Sequence, residues 1–200
     1  MPDTVFVDLK ELDTTFVFDI RYATPHNFTG EVLYPCARCL LRKAVVLKLL
    51  MVQYYLLEKG YRLKIFDCYR PYSIQFRMWE KVPDPRFVAR PSKGSNHNRG
   101  SAVDCTIVDS LGRNLDMGSG FDDFSEKSRF NYPWLTEEQK KNREFLRRVM
   151  GMFGFEGIST EWWHFNDTRA RFYSISDFPL CEKRRRDEKD DFYYPLSGMY

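Results

Sequence analysis

Residues 95 to 104 read Ser-Asn-His-Asn-Arg-Gly-Ser-Ala-Val-Asp, and residues 161 to 164 read Glu-Trp-Trp-His. Together these two stretches contain two imidazoles and two carboxylates. Zinc accepts histidine nitrogen and carboxylate oxygen, and a catalytic zinc keeps three protein ligands and one open position. We therefore expect a zinc site formed by His97, Asp104 and His164, with Glu161 left to act as a base.

The surroundings of each residue bear on this interpretation. The chain has 3 histidines, and two of them fall in the two stretches. From composition alone, a structural role for either one is as good an explanation as metal binding. The carboxylate of Asp104 stands between Val103 and Cys105 on an apolar strand, where burial is costly unless a partner compensates the charge. A cation would compensate it.

The positions of Glu161 and Arg70 in the sequence set conditions that the fold must meet. Glu161 and His164 are three positions apart, which places them on opposite faces of a regular strand, so both can face one metal only if the chain turns at Trp162. Arg70 follows an apolar strand and precedes Pro71, which favours an extended backbone at the end of that strand. There it can donate to a developing oxyanion. A surface ion pair with Asp67 is the alternative interpretation of Arg70.

Length and charge limit the class of protein. The 200 residues are 43% hydrophobic, which is enough for one domain with a sizeable core. We expect a catalytic domain over residues 1–181 and a charged tail over 182–200. The balance of 31 basic and 28 acidic residues does not indicate nucleic acid or a membrane surface as a partner. A small-molecule or peptide substrate fits better.

The hydrophobic pattern predicts alternating helices and strands. Apolar residues recur at helical spacing over residues 38–59 and again after Thr136, which forms a candidate capping box with Gln139. Strands are expected over residues 62–69 and 102–108, with a short helix over 73–81 between them. A turn at 109–114 suggests a hairpin returning through 115–117, and residues 155–164 suggest strand, turn and strand. Hairpins imply a mainly antiparallel sheet.

The cysteines and the termini give an expectation for the compartment. The 5 cysteines are an odd number in a chain large enough to fold without disulfides, so we expect reduced thiols. No signal-peptide pattern and no membrane span are visible. These features predict a cytoplasmic protein; removal of a leader would make it periplasmic instead.

The two motifs also carry a resemblance. The patterns Ser-x-His-x-x-Gly-x-Ala-x-Asp over 95–104 and Glu-x-x-His over 161–164 resemble those of the D-alanyl-D-alanine dipeptidases, zinc peptidases related to D,D-carboxypeptidases and hedgehog-like domains. Further matches occur in order at Arg-Tyr-Ala-Thr (21–24), Asn-Phe-Thr-Gly (27–30), Asp-Cys-Tyr-Arg-Pro (67–71) and Met-Gly-Ser-Gly-Phe-Asp (117–122). The resemblance implies a single α+β domain with a central, mainly antiparallel sheet flanked by helices.

The resemblance also assigns roles to residues. It implies one zinc per chain held by His97, Asp104 and His164, with Glu161 as general acid and base and Arg70 stabilising the transition state. Asp122 and Tyr22 would line the substrate pocket, with Asp122 pairing with the ammonium group of the substrate. Ser95 would bind the other end of the substrate.

The implied activity is hydrolysis of D-alanyl-D-alanine to two D-alanines by metal-activated water, in cell-wall peptide metabolism or vancomycin-type resistance. Two alternatives stay open. One is a D,D- or L,D-carboxypeptidase acting on peptidoglycan peptides with the same metal centre. The other is a zinc-stabilised binding domain without catalysis, although such a domain needs neither the base Glu161 nor the donor Arg70.

Overall fold

A five-stranded sheet forms the centre of the fold. The computed structural model describes residues 5–181, and the order of strands across this sheet is β2-β4-β5-β7-β6. Only β2 and β4 are parallel; the other neighbours in the sheet are antiparallel. The strands are β2 (Val17–Phe18), β4 (Tyr61–Asp67), β5 (Ala102–Asp109), β6 (Phe155–Gly157) and β7 (His164–Asp167). The expected mainly antiparallel α+β fold is confirmed.

A second, two-stranded sheet and four helices complete the described part of the chain. Strands β1 and β3 pair antiparallel in the small sheet, α2 packs against β4, and α4 packs against β6. These elements are β1 (Phe6–Asp8), α1 (Leu9–Leu12), β3 (Leu40–Arg42), α2 (Lys43–Leu57), α3 (Tyr72–Lys81) and α4 (Glu137–Met152).

Strand β5 separates the core from the functional face. Side chains alternate between the two faces of a strand, so Val103, Cys105 and Ile107 point one way, and all three are fully buried in the core. Asp104 and Thr106 point the opposite way. The sheet therefore presents a carboxylate on one face while its other face is apolar.

Helix α4 begins where the sequence predicts. Thr136 accepts from the backbone N–H of Gln139, and the side chain of Gln139 accepts from the backbone N–H of Thr136, so the capping box is confirmed. Leu146, Val149 and Met150 are its buried apolar residues.

Two boundaries differ from the sequence prediction. The helix expected over 38–59 begins only at Lys43, because residues 40 to 42 pair with β1 instead. The strand expected over 115–117 does not form. The neighbours of β5 in the sheet are β4 and β7. The turn at 109–114 does form, but the return is limited to a bridge between Val108 and Asn114 and a hydrogen bond from the backbone N–H of Leu115 to the carbonyl of Ile107.

The prediction of reduced thiols is wrong for four of the five cysteines. Cys36 is bonded to Cys181 and Cys39 to Cys68, at sequence separations of 145 and 29, and Cys105 is a free buried thiol. An odd count does not exclude disulfides when one thiol lies in the core. The pairs join segments that only the folded chain brings together.

Among residues 5–181, no helix is long and apolar enough to cross a membrane. The charged tail expected over 182–200 lies outside the described residues.

Candidate active site

The loop before β5 presents His97 through a tight turn. Residues His97–Arg99 form a short 3-10 helix that ends at Gly100, whose φ of 67° is left-handed. A Cβ atom at Gly100 would also collide with the ring of Phe6. Glycine is therefore required at this position for two reasons: the backbone is left-handed, and there is no room for a side chain. This explains the fixed glycine in the motif that predicted the site.

Three potential metal ligands converge at the end of this loop. Nε2 of His97 lies 3.1 Å from Nδ1 of His164 and 3.4 Å from Oδ2 of Asp104, and Nδ1 of His164 lies 3.0 Å from Oδ1 of Asp104. One ligand atom from each residue lies within 4.8 Å of the others. Cα of Asp104 is directly opposite that of His164 in the β5–β7 ladder, so the sheet itself sets this approach.

The outer hydrogen bonds of these residues suit metal binding. Nδ1 of His97 lies 2.7 Å from the carbonyl oxygen of Cys68, so this nitrogen is the donor and Nε2 has a lone pair available. Burial tends to raise the pKa of Asp104, but the two facing histidines outweigh it and hold this pKa well below its ordinary value. Asp104 is therefore an anion, and the donor set of two imidazoles and one carboxylate fits a catalytic zinc.

Glu161 reaches the same cavity because the chain bends. Trp162 and Trp163 lie in a bend between Glu161 and the first residue of β7, which satisfies the condition set by the three-residue spacing. The indole of Trp162 donates to Oγ of Ser119, and its backbone N–H donates to the carbonyl of Ser128. Burial raises the pKa of Glu161 to about 7. A carboxyl group with this pKa exchanges protons readily near neutral pH.

The guanidinium of Arg70 forms hydrogen bonds with two side chains and keeps one donor without a partner. Its Nη2 donates to Asp67 at 2.7 Å and its Nη1 donates to Gln75 at 3.1 Å, while Nε is buried without a partner. The ion pair with Asp67 considered for the sequence is thus present, but it is buried rather than on the surface. It orients the guanidinium and leaves Nε available.

Asp122 and Tyr22 meet from distant parts of the chain. The hydroxyl of Tyr22 donates to Oδ1 of Asp122 at 3.1 Å, whereas Oδ2 of Asp122 is buried without a partner. Asp122 has a left-handed φ of 59°, which aspartate tolerates better than most residues. Burial, and secondarily the charge of Asp104, raise the pKa of Asp122 to about 8. An unpartnered carboxyl group of this kind is suited to a cationic ligand.

One cavity of about 360 Å³ contains all of the side chains singled out from the sequence. Ser95 lies at its wall, and its Oγ accepts from the backbone N–H of His97 at 3.3 Å. The eight lining residues expected from the sequence are Tyr22, Arg70, Ser95, His97, Asp104, Asp122, Glu161 and His164.

The chain matches known proteins over most of its length. Residues 3–180 match the family model of Peptidase_M15, D-ala-D-ala dipeptidase. The chain belongs to this family. The D-alanyl-D-alanine dipeptidase of Escherichia coli (strain K12) is 39% identical over 88% of this chain and 91% of that protein. The D-alanyl-D-alanine dipeptidase of Enterococcus faecalis (strain ATCC 700802 / V583) is 32% identical over 80% of this chain and 90% of that protein.

Likeness to solved structures is slighter. The LdcB LD-carboxypeptidase is 20% identical, with a TM-score of 0.43 over 66% of this chain, and the chain spans 63% of the length of that structure. Vancomycin resistance D,D-dipeptidase VanXYg, in complex with a D-Ala-D-Ala phosphinate analog, is 15% identical with a TM-score of 0.39 over 86% of this chain.

One residue that supports the site of this dipeptidase family member was not predicted from the sequence. Arg143 of α4 is buried and donates to the carbonyls of Met117, Lys127 and Arg129, at 2.6, 2.7 and 2.6 Å respectively. These carbonyls flank the loop that carries Asp122. In the sequence, Arg143 is one of several cations on an amphipathic helix, and nothing local distinguishes it.

Proposed function

We propose that this chain hydrolyses D-alanyl-D-alanine to two D-alanines, with one zinc ion held by His97, Asp104 and His164. The observation that carries the proposal is the convergence of three ligands, a base, a cation and an unpartnered carboxyl group in one cavity of about 360 Å³. Family membership supports the substrate and the metal. When bound, zinc supplies a Lewis acid that polarises the scissile carbonyl and acidifies water.

Glu161 moves the proton. Its pKa of about 7 lets its carboxylate form take a proton from the attacking water and its carboxylic acid form give that proton to the nitrogen of the departing D-alanine. Water oxygen bonds to the carbonyl carbon, the C–N bond breaks, and the amine leaves with the proton it receives. Glu161 is back in its starting state after each turnover.

Arg70 stabilises the negative charge that develops on the carbonyl oxygen. Asp67 and Gln75 fix the guanidinium before substrate arrives, so no reorganisation is needed during the reaction. The unpartnered Nε supplies the N–H donor to that oxygen.

Asp122 selects a substrate with a free amino terminus. The ammonium of a dipeptide brings a counter-charge to Oδ2, which has no partner in the protein. A peptide extended or blocked at that nitrogen would bury Asp122 against a neutral group and leave it without compensation. This requirement separates a dipeptidase from the carboxypeptidase alternative. Ser95 then lies where the other end of the dipeptide is bound.

The two disulfides support an oxidising compartment rather than the cytoplasm expected from the sequence. Disulfides persist in secreted and periplasmic proteins and are rare in reducing cytosol. In either compartment the reaction removes a cell-wall dipeptide, as in vancomycin-type resistance, or releases D-alanine for reuse.

The test combines metal analysis with an assay on D-alanyl-D-alanine. We expect one zinc per chain, D-alanine release that a chelator abolishes, and loss of release with N-acetylated dipeptide. Glu161→Ala should abolish turnover and retain zinc. Zinc-loaded wild type without activity on any dipeptide would refute the proposal, and equal activity on the blocked dipeptide would favour the carboxypeptidase.

A further inference from the structure

The two histidines of the site differ in what their second nitrogen contacts. For His97 the contact is a backbone carbonyl, which can only accept a hydrogen bond. For His164, Nε2 lies 2.9 Å from Oδ1 of Asn166, and Nδ2 of Asn96 donates to the same oxygen at 2.9 Å. A side-chain amide has a donor end and an acceptor end. The orientation of Asn166 therefore decides which nitrogen of His164 carries the proton.

The fold fixes both asparagines beside the ring. Asn166 stands two residues after His164 on β7, so the two side chains share one face of the strand. The backbone carbonyl of Asn96 accepts from the backbone N–H groups of Arg99 and Ser101, which anchors Asn96 in the loop that also carries His97. Both asparagines line the cavity. These bonds hold the backbone from which the side-chain amide of Asn96 reaches Asn166.

We propose that Asn96 and Asn166 are positioning residues that set the tautomer of His164 for metal binding. The inference rests on the proposed zinc site. Because Asn96 donates to Oδ1 of Asn166, that oxygen faces Nε2 of His164 and requires an N–H there. Nδ1, which points at His97 and Asp104, then keeps its lone pair for the metal. The pair acts through His164 and need not touch the substrate.

Reversing the amide would have the opposite effect. If Asn166 presented its NH2 group to His164, Nε2 would accept, and the proton would lie on Nδ1, where it blocks coordination. Asn96→Asp should cause this reversal, since a carboxylate at position 96 demands a donor from Asn166. Added negative charge near a cation would by itself strengthen metal binding. The tautomer mechanism predicts weaker binding, so the two effects have opposite signs.

The experiment measures the zinc dissociation constant by competition with a chelator. Asn166→Leu, which removes the acceptor, should weaken zinc binding about 10- to 100-fold, the usual effect of losing an outer partner of a ligand. Asn166→Asp keeps an acceptor and should bind zinc at least as tightly as wild type. Asn96→Asp should bind more weakly than wild type. Asn131→Leu, an exposed change of the same type, is the matched control.

Each result decides a separate question. Tighter zinc binding by Asn96→Asp, or binding by Asn166→Leu within about threefold of wild type, would overturn the inference while leaving the proposed function intact. Absence of zinc binding by wild type would instead refute the metal site itself. If Asn166→Leu does not fold, Asn96→Asp and Asn166→Asp still give the two opposed outcomes.

Discussion

The hydroxyl of Tyr22 donates to Oδ1 of Asp122 at 3.1 Å, while Oδ2 of the same carboxyl group is buried without a partner. The two residues are 100 positions apart in sequence. The pKa of Asp122 is about 8 because burial disfavours the charged form. The free enzyme therefore holds a carboxyl group that is mainly protonated at neutral pH, and a cationic ligand would stabilise its charged form. At this residue, the negative charge proposed to bind the substrate ammonium lowers the stability of the free protein.

Asp122→Asn should make the metal-free protein more stable at pH 8 and abolish dipeptide hydrolysis. Asparagine keeps the shape and tolerates the left-handed φ of 59°. The folded pKa of about 8 lies above the unfolded value of 3.8, so the folded state binds more protons between these values and the stability of wild type falls as pH rises through this range. Melting temperatures at several pH values measure the difference, which should be larger at pH 8 than at pH 5.

The control for that prediction is Asp123→Asn, which changes a neighbouring carboxyl group of the same loop for which no unpartnered buried oxygen occurs. A stability gain from Asp122→Asn that is independent of pH would contradict the explanation by desolvation.

Arg70→Lys should lower kcat by about 100- to 1000-fold, the usual effect of losing one preorganised donor to an oxyanion. Lysine can keep a charge near Asp67 but has no Nε–H donor and no second arm for Gln75. Steady-state kinetics and zinc content measure the outcome. Zinc content should be unchanged, and the exposed change Arg113→Lys should have no effect. If Arg70→Lys had the kcat of the wild type, Arg70 would not stabilise the transition state.

Arg143→Met should raise KM and destabilise the fold by about 3 kcal/mol, because three backbone carbonyls lose a charged donor. These bonds tie the loop that holds Asp122 at both ends, so displacement of the loop should weaken the binding of the substrate ammonium that we propose for Asp122. Chemical denaturation and kinetics measure the two effects. Arg148→Met, on the exposed side of the same helix, is the matched control. Unchanged KM in a destabilised Arg143→Met protein would limit Arg143 to a structural role.

Loss of the disulfides should affect stability and the metal site differently. The Cys36–Cys181 bond closes the longer loop, so Cys36→Ser with Cys181→Ser should cost about 5 kcal/mol of stability and leave zinc affinity unchanged. Cys39→Ser with Cys68→Ser should also weaken zinc binding, because the carbonyl of Cys68 accepts from the ring of His97. Alkylation of unreduced, denatured protein tests the bonds themselves; modification of all five cysteines would contradict both.

Local sequence patterns predicted the parts of the molecule that depend on near neighbours. The capping box at Thr136, the strand that carries Asp104 and the loop that carries His97 all fall within a few residues of their signals. Residue types that bind metals can also be recognised in a sequence, because burying a carboxylate is costly unless a partner compensates its charge. The cavity thus brings together the residues chosen from the sequence.

The sequence predictions that were wrong concern features that depend on contacts between distant segments of the chain. The predicted return strand contacts β5 only around Asn114 and Leu115, and β7, more than forty residues later, forms the antiparallel ladder with residues 102–104 of β5 instead. Likewise, Cys39 finds its partner only when β3 and β4 are both in place. No local sequence pattern distinguishes Arg143 or Asn166, since their importance comes from the carbonyls or the ring that they contact in the folded chain.

The left-handed backbone at Asp122 also limits how this enzyme can change during evolution. Asparagine and glycine suit that backbone but remove the charge, whereas glutamate keeps the charge and suits the backbone poorly. No single substitution preserves both properties. The selectivity for a free amino terminus that we propose for Asp122 is therefore expected to be lost in one step rather than relaxed by degrees, and a descendant that accepts blocked peptides would need a rebuilt loop as well as a new side chain.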